Sequence, residues 1–170
     1  MNKLLVVSGI LFASLLPSGQ SGRVYASSSA HNLTLANAIQ STDKEGRTVF
    51  VTRVTGDLPG TLTLRLNLSA NGTITGGEWA LNVTYIEFGP ISADGDHEEY
   101  LITRGVLKGS VTTGGAIVSS TGKVTDLSGL QLSITGATRE FSQVSSGTGS
   151  GGGSQLNVSA SSNGYLSLNF

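Results

Sequence analysis

The chain has 170 residues, no cysteine, and 10 basic against 11 acidic residues, with charged residues making up 12% of the total. This composition excludes thiol catalysis, thiolate metal sites and a disulfide framework, and the lack of any Lys/Arg run or stripe argues against a nucleic-acid partner. The length suits one domain of ordinary size, able to bury a core without covalent staples.

The first elements concern export. "MNK" is a short basic start, residues 4–16 are an apolar run, and a polar stretch leads to "VYA" at 24–26. This layout predicts a secretory signal peptide over residues 1–26, cleaved after Ala26 and leaving a secreted or periplasmic domain over residues 27–170. The apolar run is shorter than the roughly 20 residues a bilayer crossing needs, so no membrane span is expected after cleavage. No cysteine follows the run, which excludes a lipid-modified N-terminus. Cleavage removes Lys3 and Arg23 and no acid, so the remaining domain is net acidic. Five N-x-S/T sequons occur, at Asn32, Asn67, Asn71, Asn82 and Asn157, but a chain this rich in Ser and Thr makes them by chance, and a cysteine-free secreted domain points to a bacterium.

Residues 27–45 read as a frayed leader that includes His31, with "NLTLANAIQ" (32–40) as a short helical candidate. From there a period of two dominates. "TVFVTRVT" (48–55) is a strand, and "TLTLRLNLS" (61–69) places Leu62, Leu64, Leu66 and Leu68 on one face and polar residues on the other, as in a half-buried antiparallel strand. Asn71-Gly72 predicts a tight hairpin turn in which both central residues take positive φ. The returning strand "EWALNVTY" (78–85) puts Trp79, Leu81, Val83 and Tyr85 on one face, turns Glu78 outward, and carries Glu87 to the mouth of a barrel. "SADGDHEEY" (92–100) reads as a solvated acidic hairpin tip: it starts like an EF-hand loop but lacks the glycine at position six and the acid at position twelve.

"EEYLITRGVLKGSVT" (98–112) is a long strand broken by Gly105 and Gly109, followed by "GAIVSS" (115–120) and "LSGLQLSIT" (127–135). Residues 145–154 read as a flexible Gly/Ser loop, with flexibility setting in near Gly147, and "SQLNVSAS" (154–161) and "GYLSLNF" (164–170) as the last strands. A faint echo relates residues 60–75 to 109–125, as any two glycine-turned hairpins would. The total is about eight strands with turns every 8 to 15 residues, which fits a sandwich or an eight-stranded barrel.

"ITGATREFSQVSS" (134–146) resembles the I-T-G-G-[ST]-G-x-F-x-G-[VA]-x-G signature of the allene oxide cyclase and dirigent barrels, matching at Ile134, Thr135, Gly136, Thr138, Phe141 and Val144. Ala137, Arg139, Gln143 and Ser146 stand where the signature has glycine. "GDLPGTLTLRLNL", "NGTITGGEWALNV" and "GVLKGSVT" are similar to segments of secreted bacterial members, so the likeness spans most of residues 48–150. The resemblance implies an all-β, eight-stranded antiparallel up-and-down barrel of the lipocalin-like, calycin type, with an apolar central cavity. It also implies that Phe141 packs into the barrel or caps one end.

No catalytic motif of that family aligns here, no G-x-S-x-G or phosphate loop is present, and no cofactor is expected. The sequence therefore predicts a non-catalytic secreted barrel that binds a small apolar molecule or serves as an envelope or extracellular module. The alternatives are a cofactor-free isomerase or cyclase and a structural envelope protein with no ligand. An outer-membrane barrel is disfavoured by the scarcity of aromatics. The candidate ligand-binding residues are Phe50, Trp79, Tyr85, Tyr100, Arg104 and Phe141. Arg104 shares a strand face with Tyr100, Ile102 and Val106, where its guanidinium would anchor a ligand carboxylate or hydroxyl; the other reading of the same pattern is an outward face.

Overall fold

The computed structural model describes residues 29–91, 97–155 and 163–170. Eight strands form a closed antiparallel barrel in sequential order: β1 (Ala30–Thr42), β2 (Thr48–Gly56), β3 (Gly60–Leu68), β4 (Thr73–Ile91), β5 (His97–Val118), β6 (Val124–Ala137), β7 (Gly147–Ser154) and β8 (Asn163–Asn169). Every strand is bonded to its neighbours in sequence, and β8 closes onto β1 from Ala30↔Asn169 to Leu35↔Gly164. This is the up-and-down barrel that the alternating pattern allowed. One short 3-10 turn, η1 (Arg139–Phe141), follows β6.

The core follows from the parity of the strands. Leu62, Leu64 and Leu66 of β3 are buried, as are Trp79, Leu81 and Val83 of β4, Leu130, Leu132 and Ile134 of β6, and Leu166 and Leu168 of β8. They join Phe50, Val54, Leu107 and Phe141 in one cluster inside the barrel. Burying one such side chain stabilises the fold by about 1.5–3 kcal/mol.

Two glycines on β5 make room for aromatics. The indole Nε1 of Trp79 donates to the Ser133 carbonyl of β6 at 3.0 Å, reaching past β5 to do so. A Cβ on Gly109 would sit 2.8 Å from that Nε1 and closer still to the Ser133 oxygen. A Cβ on Gly105 would meet the Phe141 ring at 2.9 Å. The "breaks" in this strand are therefore the sites where bulky neighbours cross it.

Besides the expected strands 98–112 and 115–120, which are the single strand β5, four sequence expectations need correction. Residues 30–42, expected as a frayed leader with a helical stretch, are strand β1, paired on both sides; His31 lies opposite Leu168 and stacks on the Phe170 ring at 4.6 Å. Propensity misled here because pairing to two neighbours, not local preference, decides a strand. The 147–154 run, expected as a flexible loop, is strand β7, held between β6 and β8. A Cβ on Gly147, Gly149 or Gly151 would collide with Ile134, Leu168 or Leu166, so large side chains of the adjoining strands occupy the volume beneath β7.

The Asn71-Gly72 turn is a third difference. Gly72 has φ +82° while Asn71 is not in the positive region, and Gly72 N–H donates to Ser69 O at 3.0 Å. The turns at 43–47 and 119–123 repeat this bonding, with Gly46 and Gly122 both at φ +78°. Each is a type I turn closed by a left-handed glycine, a form that suits strands with native twist as well as the expected tighter turn does. Finally, Tyr85 does not share the burial of Trp79 and Val83. β3 begins at Gly60, opposite Val83, and β6 ends at Ala137, opposite Leu107. Beyond Thr84 the β4–β5 ribbon has left the barrel wall and has no interior to face. From Thr84↔Thr103 to Ile91↔His97 it forms a two-stranded arm.

Candidate functional site

The sequence-derived site residues fall into three places. Phe50 and Trp79 are core residues, fully or almost fully buried on β2 and β4. Phe141 is completely buried at the end of the barrel, edge-on to Phe170 at 6.4 Å between ring centres, so it caps that end. Arg104 lies beside it: Nε and Nη2 both donate to Oε2 of Glu140 at 2.8 Å, and the guanidinium carbon is 5.9 Å from the centre of the Phe141 ring. Tyr85 and Tyr100 stand on the arm, 39% and 46% exposed. The structure thus brings Arg104 and Phe141 together, sets Phe50 and Trp79 deeper in the core, and leaves the two tyrosines outside it.

The cap is built locally. Thr138 N–H donates to Val106 O at 2.9 Å, and Val106 N–H donates to Thr138 Oγ1 at 3.0 Å, which extends the β5–β6 ladder by one step. The chain then turns through Arg139, at φ +54° where the family signature has glycine, and Arg139 Nη1 donates to Thr103 O at 2.9 Å. η1 follows and drops Phe141 inward. His31 on β1 stacks on Phe170 at the same end. Loss of hydration there lowers its pKa from the usual histidine value, against the opposing pull of Asp57.

A concave surface lies elsewhere, on the outside of the barrel. A groove of about 810 Å³ runs between the outer faces of β2 and β3 and the arm. Its apolar walls are Ile39 and Val51, which pair across β1 and β2, and Ile86, Phe88 and Leu101 of the arm. Leu101 is 71% exposed, Ile39 70% and Phe88 59%. Ile86 and Leu101 are directly paired, and so share one face of the arm. Tyr85 borders the groove; Tyr100 does not. Threonine hydroxyls from Thr55, Thr61 and Thr84 and one charged side chain, Arg53, complete the polar part of the lining. Among the described residues that line it there is no histidine and no carboxylate, so the groove offers van der Waals contact, hydroxyls and one cation, but no general base.

Ile39, Val51, Arg53, Ile86, Phe88 and Leu101 were not singled out in the sequence, though a signal existed. "VFV" (49–51) and "YIEF" (85–88) are apolar at both parities, and a strand that is apolar on both faces has something to cover on both. Glu78 points outward as expected, with a carboxylate oxygen 3.5 Å from Arg47. Glu87 is an exposed residue of the arm. Asp94 and Asp96 of the expected acidic tip, residues 156–161 of the strand expected over 154–161, and residues 1–28 with the expected export signal lie outside the described residues.

Fold and site together define a class: an eight-stranded antiparallel up-and-down barrel with a packed core, a capped end and an apolar groove on its outer wall. Comparison with family models, with curated proteins and with solved structures finds no match to this chain. The fold is compatible with binding of a small ligand.

Proposed function

We propose that this protein is a secreted, non-catalytic barrel that binds a small apolar molecule, and that the outer groove, not the barrel lumen, is the binding site. The groove carries this reading. Among the described residues, six of the ten large hydrophobic residues that remain exposed line it: Ile39, Val51, Tyr85, Ile86, Phe88 and Leu101. A concave, mostly apolar surface of several hundred Å³ is what drug-sized ligands occupy, and contiguous exposed apolar patches on soluble domains usually serve binding. The export layout of residues 1–26 supports the compartment, and the likeness of residues 134–146 to allene oxide cyclase and dirigent barrels supports a ligand-handling ancestry.

A cyclase or isomerase reading is weaker. Such an enzyme would hold its substrate in a dry lumen, and here Phe50, Trp79, Leu62, Leu64, Leu81 and Leu107 fill that space. Fold alone does not carry activity.

Native mass spectrometry of protein recovered from its own host's medium tests the binding reading, supported by titration with the neutral dye Nile red. An apolar molecule co-purifies, the dye brightens on binding, and Leu101→Glu loses both while its far-ultraviolet circular dichroism is unchanged. Bare protein in repeated preparations, with no dye response, overturns the proposal.

A further inference from the structure

From the placement of Arg53, we infer that the groove selects anionic amphiphiles: an apolar chain lies along the wall, and a single anionic head group pairs with the Arg53 guanidinium. The inference rests on the groove being a binding site and adds the charge class of its ligand.

Arg47 is engaged by Asp43, Glu45 and Glu78. Arg104 is engaged by Glu140. Arg139 donates to a backbone carbonyl. Arg53 differs. It is exposed, and among the described residues no carboxylate lies within ion-pair distance. Its strand neighbours across the wall are Ala36 on β1 and Thr61 on β3, neither of which carries charge. Among the described residues it is also the one charged residue in the lining of the groove, set against an apolar surface built by Val51, Ile39, Ile86, Phe88 and Leu101. Arginine presents a planar fork of donors that matches a carboxylate, sulfate or phosphate in two-point contact. Its aliphatic stem packs along apolar surface at the same time.

A ligand with only apolar groups would leave that fork idle. A cationic head would be repelled by it. An uncharged alcohol would accept one hydrogen bond from the guanidinium and bring no countercharge. An anionic head gains a charge-assisted pair at the wall while its chain is covered by the arm. Of the arm's carboxylates whose side chains are described, Glu87 and Glu99 pair across the ribbon with Tyr100 and Phe88, and neither lines the groove.

Laurate, lauryl alcohol and laurylammonium share one chain and differ only in the head, and each is titrated below its micelle-forming range as a competitor of Nile red. Laurate displaces the dye about fivefold more tightly than the alcohol, the increment expected for an exposed ion pair, and laurylammonium is weakest. The advantage of laurate shrinks as salt rises, because exposed pairs are screened. Arg53→Gln removes the advantage, read as the ratio of laurate to lauryl alcohol affinity within each variant, and Arg53→Lys keeps part of it. Lauryl sulfate and lauryl phosphate then decide which anion fits best.

If laurate and the alcohol compete equally, or if Arg53→Gln leaves the difference intact, the charge inference is wrong and the apolar groove stands. If none of the three displaces the dye and Leu101→Glu changes nothing, the groove itself is not the site. Sedimentation velocity closes the last route: a dimer that disperses on Leu101→Glu would make a second copy of the chain the occupant, and would overturn the inference.

Discussion

At the residue scale, the decisive positions are those where one atom more would not fit. Gly109 is the clearest. The β5 backbone passes over the Trp79 indole there, and the indole uses that clearance to reach the Ser133 carbonyl. Gly109→Ala places a methyl 2.8 Å from Nε1 and closer to a backbone oxygen that cannot step aside. Overpacking of this kind costs about 3 kcal/mol, and displacing the indole would leave its buried N–H unsatisfied as well. Urea unfolding followed by the fluorescence of Trp79, the only tryptophan, measures this: the midpoint falls and the native emission shifts to the red. An unchanged midpoint would mean that β5 yields locally and that the indole bond matters little. The sequence showed a glycine breaking a strand. That the break is a crossing point for a residue 30 positions earlier was decided in space.

At the element scale, β7 is the lesson. Its residues are mostly glycine and serine, and by composition they read as a loop. Yet Gly147, Gly149, Gly151 and Gly153 recur at every second position, and this is the period of a strand whose inward face carries no side chains. The volume is filled instead from the sides, by Ile134, Leu132, Leu166 and Leu168. Two substitutions separate this from a loop. Gly149→Val puts a branched side chain against Leu168 and destabilises the barrel by about 3 kcal/mol, whereas Thr148→Val, on the exposed face next door, changes stability by less than about 0.5 kcal/mol. Chemical denaturation of both variants gives the comparison. Equal effects would indicate that β7 is not packed as described. The neighbouring signature stretch was read more successfully: Phe141 caps the barrel end, where a side chain of that size has no other dry place to go. Arg139 adopts a left-handed backbone, which glycine takes without strain, and its bond to Thr103 offsets part of that strain.

At the scale of the whole molecule, closure and protrusion pull in opposite directions. Pairing β8 with β1 removes the sheet edges that invite aggregation. The arm restores two short ones, because β4 outruns β3 and β5 outruns β6. It carries Glu87 and Glu99 beside its apolar residues, and charges of this kind on an edge discourage strand addition. A two-stranded ribbon is at best marginal alone, so the arm has to be justified by what it covers. Replacing residues 85–102 with a short glycine-containing turn between Thr84 and Thr103 tests this. The barrel keeps its cooperative urea transition, with stability changed by about 1 kcal/mol or less, and Nile red binding is lost. Loss of the cooperative transition would instead make the arm part of the folding core.

Alternation in the chain already carried the strand period and the inward set of leucines, and the resemblance of residues 134–146 left Phe141 either inside the barrel or capping its end. Alternation fixes which side chains share a face, and an apolar face must be buried. The sequence also showed what chemistry is missing, since absent cysteines need no structure to be counted. Alternation left sandwich and barrel open, the resemblance implied the barrel, and the structure shows it; tertiary structure alone decided that residues 30–42 and 147–154 are strands and that Tyr85 leaves the core although it keeps the parity of Trp79. It also decided that the concave apolar surface lies outside the barrel. Each of these depends on where a neighbouring strand begins or ends. That is a property of pairing between segments far apart in the chain, and no local window of sequence contains it.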